Sequence, residues 1–349
     1  MLALLKAGVS VRLVPRRDRA EGGRAPALTW GRYGRIRDLL QASVQAHASR
    51  ENVCVRHVWP PDFGRPRACG KFVLIQPWEY GYLPSAWVGP VRANVDEVWA
   101  YSRFVRDTYV RSGVPAAKVA VVHPGVDPFV FSADAPPAAV SSTKGYKFLF
   151  VGGAATSRKG FDVLLRAYVR AFRNSDDVSL IVKDYFYGPV EREIAAVQAD
   201  PDAPEVVYLY ENARPWVMPG YYAACDCLVS PYRAEGFGLP VLEAMACARP
   251  VITTGYGAAL DFCDDSVAYL IPAREVPFPE ARVGDFATCG TPVWAEPDEE
   301  GLVALLRHVF IHREEGRGKG SRARERVAAG FTWEHTARQV IHRLGILRS

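Results

Sequence analysis

Two glutamates with seven residues between them, Glu235 and Glu243, lie in the stretch AEGFGLPVLEAMA (Ala234–Ala246), which also holds two glycines and a proline. The preceding residues CLVS (Cys227–Ser230) are short and apolar, the pattern of a strand buried on both faces. Pro240 suits the first position of a helix, where its missing N–H costs nothing. Residues 235–239 therefore read as a strand-to-helix loop. Its glycines let backbone approach a ligand closely, and the helix start favours an anion. Two carboxylates beside an anion would repel it, but they make sense as hydrogen-bond acceptors for hydroxyls. A ligand carrying both phosphate and several hydroxyls, such as a nucleotide sugar, meets both demands. The plainer alternative is a solvated Glu235 and a Glu243 that only complements the helix start.

Balancing cations stand at similar places. FLFV (Phe148–Val151) is a buried-strand pattern that runs into GGAATSRKG (Gly152–Gly160) and then an amphipathic helix, so Arg158 and Lys159 fall on a second strand-to-helix loop. Lys183 ends a further strand of the same series. Each alone reads as a surface charge. Together, at the carboxyl ends of neighbouring strands, they form a candidate anion site.

These loops need a parallel sheet to carry them, and the chain alternates β-branched runs with helical patterns throughout. In the first part strands are expected at 9–14, 53–58, 72–76, 97–100 and 119–122, with helices at 35–47 and 103–112, the latter capped by Ser102 and Gly113. Residues 2–7 read as a helix tail. The Pro- and Ser-rich segment 124–146 reads as a linker, and a second βα series follows from Lys147. Residues 275–299 read as polar surface loop, and 301–315 and 333–347 as closing helices. The expected organisation is a domain over 1–135, joined by a C-terminal helix over 332–349, and a domain over 145–331. A cleft between the two would hold ligands beyond the strand ends.

Composition narrows the classes of function. The 349 residues are 49% hydrophobic and 23% charged with a formal charge of +5, ordinary for a two-domain globular chain. The mild basicity suits an anionic substrate or peripheral contact with an acidic membrane. No dense basic run with interleaved aromatics points to nucleic acid. No apolar run approaches the roughly 18 residues of a membrane span. Seven scattered cysteines, an odd number, favour a reduced compartment, and a cytoplasmic location, free or at the inner face of a membrane, is expected. Cys225 and Cys227 lack partners at zinc spacing and read as two small apolar residues on one face of a strand, so no metal is expected. No G-x-G-x-x-G follows a strand, which argues against a nicotinamide enzyme.

The pair Glu235 and Glu243 resembles the E-x7-E motif of retaining glycosyltransferases with the GT-B fold, and EGFGLPVLEAMA resembles glycosyltransferase family 4 (group 1). VVHPGVDPFVF (Val121–Phe131), FVGGAATSRKGFDVLLRAY (Phe150–Tyr168), ITTGYGAALDF (Ile252–Phe262) and FTWEHTARQVI (Phe331–Ile341) are similar to other segments of that family. The resemblance spans about 95–345. It implies an α/β fold of two Rossmann-like domains facing across a cleft, without resident cofactor or metal. It further implies transfer of a sugar, with anomeric configuration kept, from a nucleoside diphosphate sugar to a hydroxyl acceptor in a polysaccharide or glycolipid.

Residue by residue, the resemblance implies that Glu235 holds hydroxyls of the donor sugar and Glu243 the ribose. The backbone of Gly236, Phe237, Gly238 and Leu239 would face the donor, and Lys159 with Arg158 the diphosphate. The chain departs from the family at Gly153, where an arginine is common, so that Arg158 or Lys183 must substitute. It departs again in IQPWE (Ile75–Glu79), where Gln76 or Glu79 stands in for a histidine of the first domain; His57 is the other candidate. The first strand of that domain and its Gly-rich loop are not found, which leaves a catalytically impaired nucleotide-sugar-binding protein or fragment as the alternative.

Overall fold

The structure is a computed structural model that describes residues 1–11, 52–67, 69–185 and 190–348. After a short helix α1 (Leu2–Lys6), four strands, β1 (Val53–Arg56), β2 (Lys71–Leu74), β3 (Glu97–Ala100) and β4 (Val119–Val121), form one parallel sheet in sequential order. Helix α2 (Ser85–Asn94) enters β3, and α3 (Arg103–Arg111) follows it. Ser102 caps α3 by accepting the amide of Val105 at 3.2 Å. The expected helix over 35–47 lies outside the described residues. So do 12–14 of the expected first strand, and Val9–Val11 are in no strand. Helix α2 was not expected because Gly89 and Pro90 interrupt its pattern; it forms because Trp87 and Val91 are buried against the sheet.

The second sheet holds β5 (Tyr146–Val151), β6 (Val178–Asp184), β7 (Glu205–Tyr210), β8 (Cys227–Ser230), β9 (Val251–Thr254) and β10 (Tyr269–Ile271), all parallel, in the order β10-β9-β8-β5-β6-β7. Strand β6 is buried at every residue because helices cover both faces. Phe148, Phe150 and Leu180 pack on one face, and Leu149, Ile181 and Leu228 on the other. Cys225 precedes β8 and packs on the second face while Cys227 packs on the first, so the two do not share a face. The crossover helices are α4 (Phe161–Ala171), α5 (Val190–Ala199), α6 (Met218–Ala224) and α7 (Leu239–Ala246).

Residues 275–299 are not a plain surface loop. Strands β11 (Ala273–Pro277) and β14 (Val293–Pro297) pair antiparallel, with the small pair β12 (Arg282–Val283) and β13 (Phe286–Ala287) between them. Glu275, Pro277, Pro279 and Glu280, which mimic a loop, are exposed, while Pro292, Trp294, Ala295 and Pro297 are buried.

Helices α8 (Glu299–Ile311), α9 (Arg313–Gly330) and α10 (Trp333–Arg348) close the chain. Gly316, Gly318 and Gly320 in its first half hid α9 from the sequence, since each costs helix propensity. Two of them allow its packing: a Cβ on Gly320 would strike the Ala248 carbonyl, and one on Gly316 would crowd Pro250 at 3.3 Å. Helix α10 lies on the first sheet, with Val340 against Val73, Trp99 and Val122. The chain thus crosses between the sheets twice, and the two crossings pair where Val126 N–H donates to Phe331 O at 3.0 Å and Trp333 N–H to Val126 O at 3.2 Å.

Candidate active site

Strands β5 and β8 are neighbours in the second sheet, so the loops at their carboxyl ends meet. After β5 the chain makes a single tight turn through Ser157–Lys159 and enters α4 at Gly160. Gly160 has φ +67°, and a Cβ there would strike the carbonyl of Pro231, so glycine is needed to bring the two loops together. The Arg158 carbonyl accepts the amides of Arg233 at 2.7 Å and Ala234 at 3.2 Å. These bonds set Lys159 and Arg158 against Glu235. Lys159 Nζ is ion-paired with Glu235 Oε1, and Arg158 Nη1 stands 3.6 Å from the same oxygen.

The first domain closes over this cluster. Ser102 Oγ donates to the Gly236 carbonyl at 2.9 Å, and a Cβ on Gly236 would come within 3.1 Å of Pro77 and 3.7 Å of a Glu79 carboxylate oxygen. Glu79 is partly buried, faces Arg158, Glu235 and Lys159, and its carboxyl is held above the usual range by desolvation, which the two cations only partly offset. Burial works against the charge of Arg158, but Glu235 and Glu79 outweigh it and raise its pKa.

Glu243 sits apart from the cluster, on the fifth residue of α7, with Pro240 at the second position rather than the first. Its Oε2 accepts Tyr222 Oη–H at 2.7 Å, and burial pushes its carboxyl up to about 7 against that hydrogen bond. Gly238, at φ +93°, starts the helix: its carbonyl takes the amides of Val241 and Leu242 at 3.0 and 3.2 Å. Pro240 has no N–H, so of the first turn the Leu239 amide is the one left without a carbonyl in the helix. Phe237 is buried between Phe262 at 5.1 Å and His123 at 6.0 Å, so its ring anchors the loop, while Leu239 is exposed.

The other predicted residues divide. Lys183 is 2% exposed and does not join Arg158 and Lys159: its ammonium donates to the carbonyls of Glu211 and of Asp184 (3.2 Å) and lies 5.7 Å from the Tyr221 ring, and desolvation lowers its pKa. Gln76 is buried at the cleft side of β2. Its main-chain oxygen accepts Tyr109 Oη–H at 2.8 Å, while its side-chain Oε1 has no partner among the described residues. Gly153 is buried at the end of β5, with its carbonyl bonded to Thr156 N–H at 3.0 Å. His57 is exposed beyond β1, edge-on to Tyr101 at 5.8 Å.

Two features escaped the sequence reading. Arg233, 7% exposed, forks onto Asp162 at 2.7 and 2.8 Å and onto Glu296 at 2.8 and 2.9 Å, and also donates to Ser157 O at 2.8 Å. It thereby ties the β5 and β8 loops together. Its signal was a lone cation in the apolar run before Glu235. The second is His123, whose Nε2 lies 2.8 Å from Asp261 Oδ2. Burial acts to raise the Asp261 pKa, but hydrogen bonds from His123 and Arg103 outweigh it and leave the carboxyl below its usual range. Among the described residues no group of three His, Cys, Asp or Glu is placed to hold a metal, and no helix is long and apolar enough to cross a membrane.

Two parallel-sheet domains joined at one edge, with the site in the cleft between them, define the GT-B architecture of glycosyltransferases. Residues 145–281 match the family model of the glycosyl transferases group 1. Among solved structures, a glycosyltransferase from Rickettsia africae is similar over 96% of this chain and 84% of its own, with a TM-score of 0.64 at 14% identity. Anabaena HepE, solved with UDP and glucose, is similar over 79% and 71%, with a TM-score of 0.60 at 16% identity. Among curated proteins, the GDP-mannose-dependent alpha-(1-6)-phosphatidylinositol monomannoside mannosyltransferase of Mycolicibacterium smegmatis is 25% identical over 66% of this chain and 62% of its own length. The D-inositol 3-phosphate glycosyltransferase of Kribbella flavida is 28% identical over 66% and 51%. The chain thus matches less than two thirds of the length of these curated relatives.

Proposed function

We propose that this chain is a retaining glycosyltransferase that moves a sugar from a nucleoside diphosphate sugar to a hydroxyl acceptor. The observation that carries the reading is the convergence of Lys159 and Arg158 on Glu235 at the mouth of the second sheet, with Glu79 of the first domain facing them. In the proposed reaction the bond from the sugar's anomeric carbon to the diphosphate breaks, and a bond to the acceptor oxygen forms on the same face. The acceptor's proton passes to the departing phosphate oxygen, and a nucleoside diphosphate leaves. A phosphate has a second pKa near about 6, so it departs as an anion and asks for positive charge rather than a strong acid. Lys159, Arg158 and the Leu239 amide at the start of α7 supply that charge, which is why the reading asks for no resident metal or cofactor.

A diphosphate entering beside Lys159 and Arg158 would take over their charge from Glu235. The freed carboxylate then accepts hydrogen bonds from hydroxyls of the sugar. Glu243, beside Tyr222, would hold the ribose. On the first domain, Glu79, which faces Arg158 and Glu235, would receive the acceptor hydroxyl. The curated relatives are named for a phosphatidylinositol mannoside and for an inositol phosphate, so a polyol or glycan hydroxyl is the acceptor class this reading favours.

The test is binding, then transfer. A thermal-shift panel of UDP-, GDP- and ADP-sugars should show stabilisation by one base, and that donor should then glycosylate a polyol or glycan acceptor with the anomeric configuration kept, as read by NMR. An inverted product, or no stabilisation by any nucleotide sugar, would overturn the reading.

A further inference from the structure

The antiparallel excursion β11–β14 leaves the second domain and docks on the first, and its outer half lies beyond the residues matched by the family model. Its root is held at the site itself. Ala295 N–H donates to the carbonyl of Arg233 at 2.8 Å, Glu296 receives the Arg233 guanidinium, and that guanidinium lies 5.3 Å from the Trp294 ring. Arg233 in turn donates its amide to the Arg158 carbonyl, two residues before Glu235.

From Trp294 a line of rings runs across the cleft: Phe278 lies 4.9 Å from Trp294 and 5.2 Å from Tyr80, which neighbours Glu79. Val293 N–H donates to the Tyr80 carbonyl at 3.1 Å. A Cβ on Gly81 would strike the Val293 side chain, so the arm lies directly on the loop that carries Glu79. The tip is pinned as well. Cys289 N–H donates to Leu83 O at 2.9 Å, Phe286 packs edge-on at 5.7 Å from both Trp78 and Trp87, and Gly290 abuts the Tyr82 ring.

We infer that the arm is the positioning device for Glu79: the path Arg233–Trp294–Phe278–Tyr80 braces the loop 76–82 of the first domain against Arg158 and Glu235 of the second. This inference rests on the reading of Glu79 as the group that meets the acceptor, but its physical content does not. A loop held only by its own domain would move with every opening of the cleft. A loop gripped by an arm from the opposite domain keeps Glu79 in register with the charges that flank the diphosphate. Tyr80, Phe278, Trp294 and Arg233 are therefore positioning residues, none of which needs to touch substrate.

Two variants weaken the brace without touching either sheet: Phe278→Ala on the arm, and Gly290→Leu, whose side chain would push the tip off Tyr82. Hydrogen exchange read by mass spectrometry decides the structural claim. Amides of 76–83 should exchange about tenfold faster in both variants while those of β5 and β6 stay protected. Unchanged protection at 76–83 would overturn the proposal whether or not a donor has been found. Should Phe278→Ala loosen the whole chain, Gly290→Leu carries the test alone.

Turnover with UDP-glucose or GDP-mannose tests the link to the site. Phe278→Ala should lower kcat about tenfold with the donor KM within about threefold. Combined with Glu79→Gln it should fall no further than Glu79→Gln alone, since the two act through one group. An additive double variant would overturn the positioning role. Absence of transfer by the unmodified chain with every nucleotide sugar would instead count against the proposed function and leave the exchange result to judge the arm.

Discussion

The two lysine–glutamate regions of the second domain use the same residue types in opposite ways. On the β5 and β8 side, Lys159 and Arg158 share one carboxylate, Glu235, and their charges compensate one another at the cleft. On the α6 and α7 side, Lys183 and Glu243 do not pair. Lys183 is solvated by two carbonyls, and Glu243 by a single phenol. The consequence is electrostatic. In the first region the carboxylates of Glu235 and Glu79 outweigh burial and raise the Arg158 pKa, whereas in the second desolvation lowers that of Lys183 and pushes Glu243 up to about 7. Within E-x7-E, then, the first glutamate is ion-paired and the second is desolvated beside one phenol.

Breaking the first region should have the largest effect. Under the proposed function, in which Glu235 meets the reacting sugar, Glu235→Gln is expected to lower transfer by about 10²-fold or more while the melting temperature changes little. Turnover within about threefold of the unmodified chain would remove Glu235 from the site. Lys159→Ala should follow, with nucleoside diphosphate affinity falling about tenfold or more by calorimetry and in a salt-sensitive way.

The second region should respond to pH. A carboxyl whose folded pKa is raised contributes stability that is present below about pH 4 and lost as pH rises through about 7. The ligand-free protein should therefore lose melting temperature between about pH 5 and about pH 8, and Glu243→Gln should flatten that decline. A slope unchanged by the substitution would show that Glu243 does not titrate there.

Lys183→Met should have the smallest effect on function. It takes the ammonium from the Glu211 carbonyl, while the Asp184 carbonyl keeps the Glu211 amide, a cost of about 1–3 kcal/mol in stability, with nucleoside diphosphate affinity held within about threefold. A collapse of affinity instead would return Lys183 to the anion site and erase the contrast between the two regions.

Much of the second domain could be read from the chain. Its strands are short apolar runs because helices bury both faces, and its loops carry Gly160, Gly238 and Pro240, whose conformational demands are local. The arm, α2 and α9 could not be read. Their glycines, prolines and charges argue against regular structure, and what overrides those propensities is contact with residues far away in sequence: Tyr80 for the arm, the first sheet for α2, Pro250 and Ala248 for α9. The grouping of the candidate site was legible in part. Glu235, Lys159 and Arg158 were found together. Lys183 was misplaced because its strand position did not reveal which face of the sheet it would serve. Arg233 was missed because its partners, Asp162 and Glu296, lie 71 and 63 residues away on either side.

What the residues alone determined is the architecture: alternating apolar runs and amphipathic helices have few ways to bury their faces other than parallel sheets with crossover helices, and that arrangement gathers the strand-end loops into one cleft. What only the tertiary structure decided is the ionisation and the reach of the site. Whether a carboxylate is paired, as Glu235 is, or desolvated, as Glu243 is, depends on neighbours and burial that no local pattern encodes. Whether Glu79 faces those charges depends on how two domains and one arm come to rest against each other, because electrostatic energy is set by distance in space and not by separation along the chain.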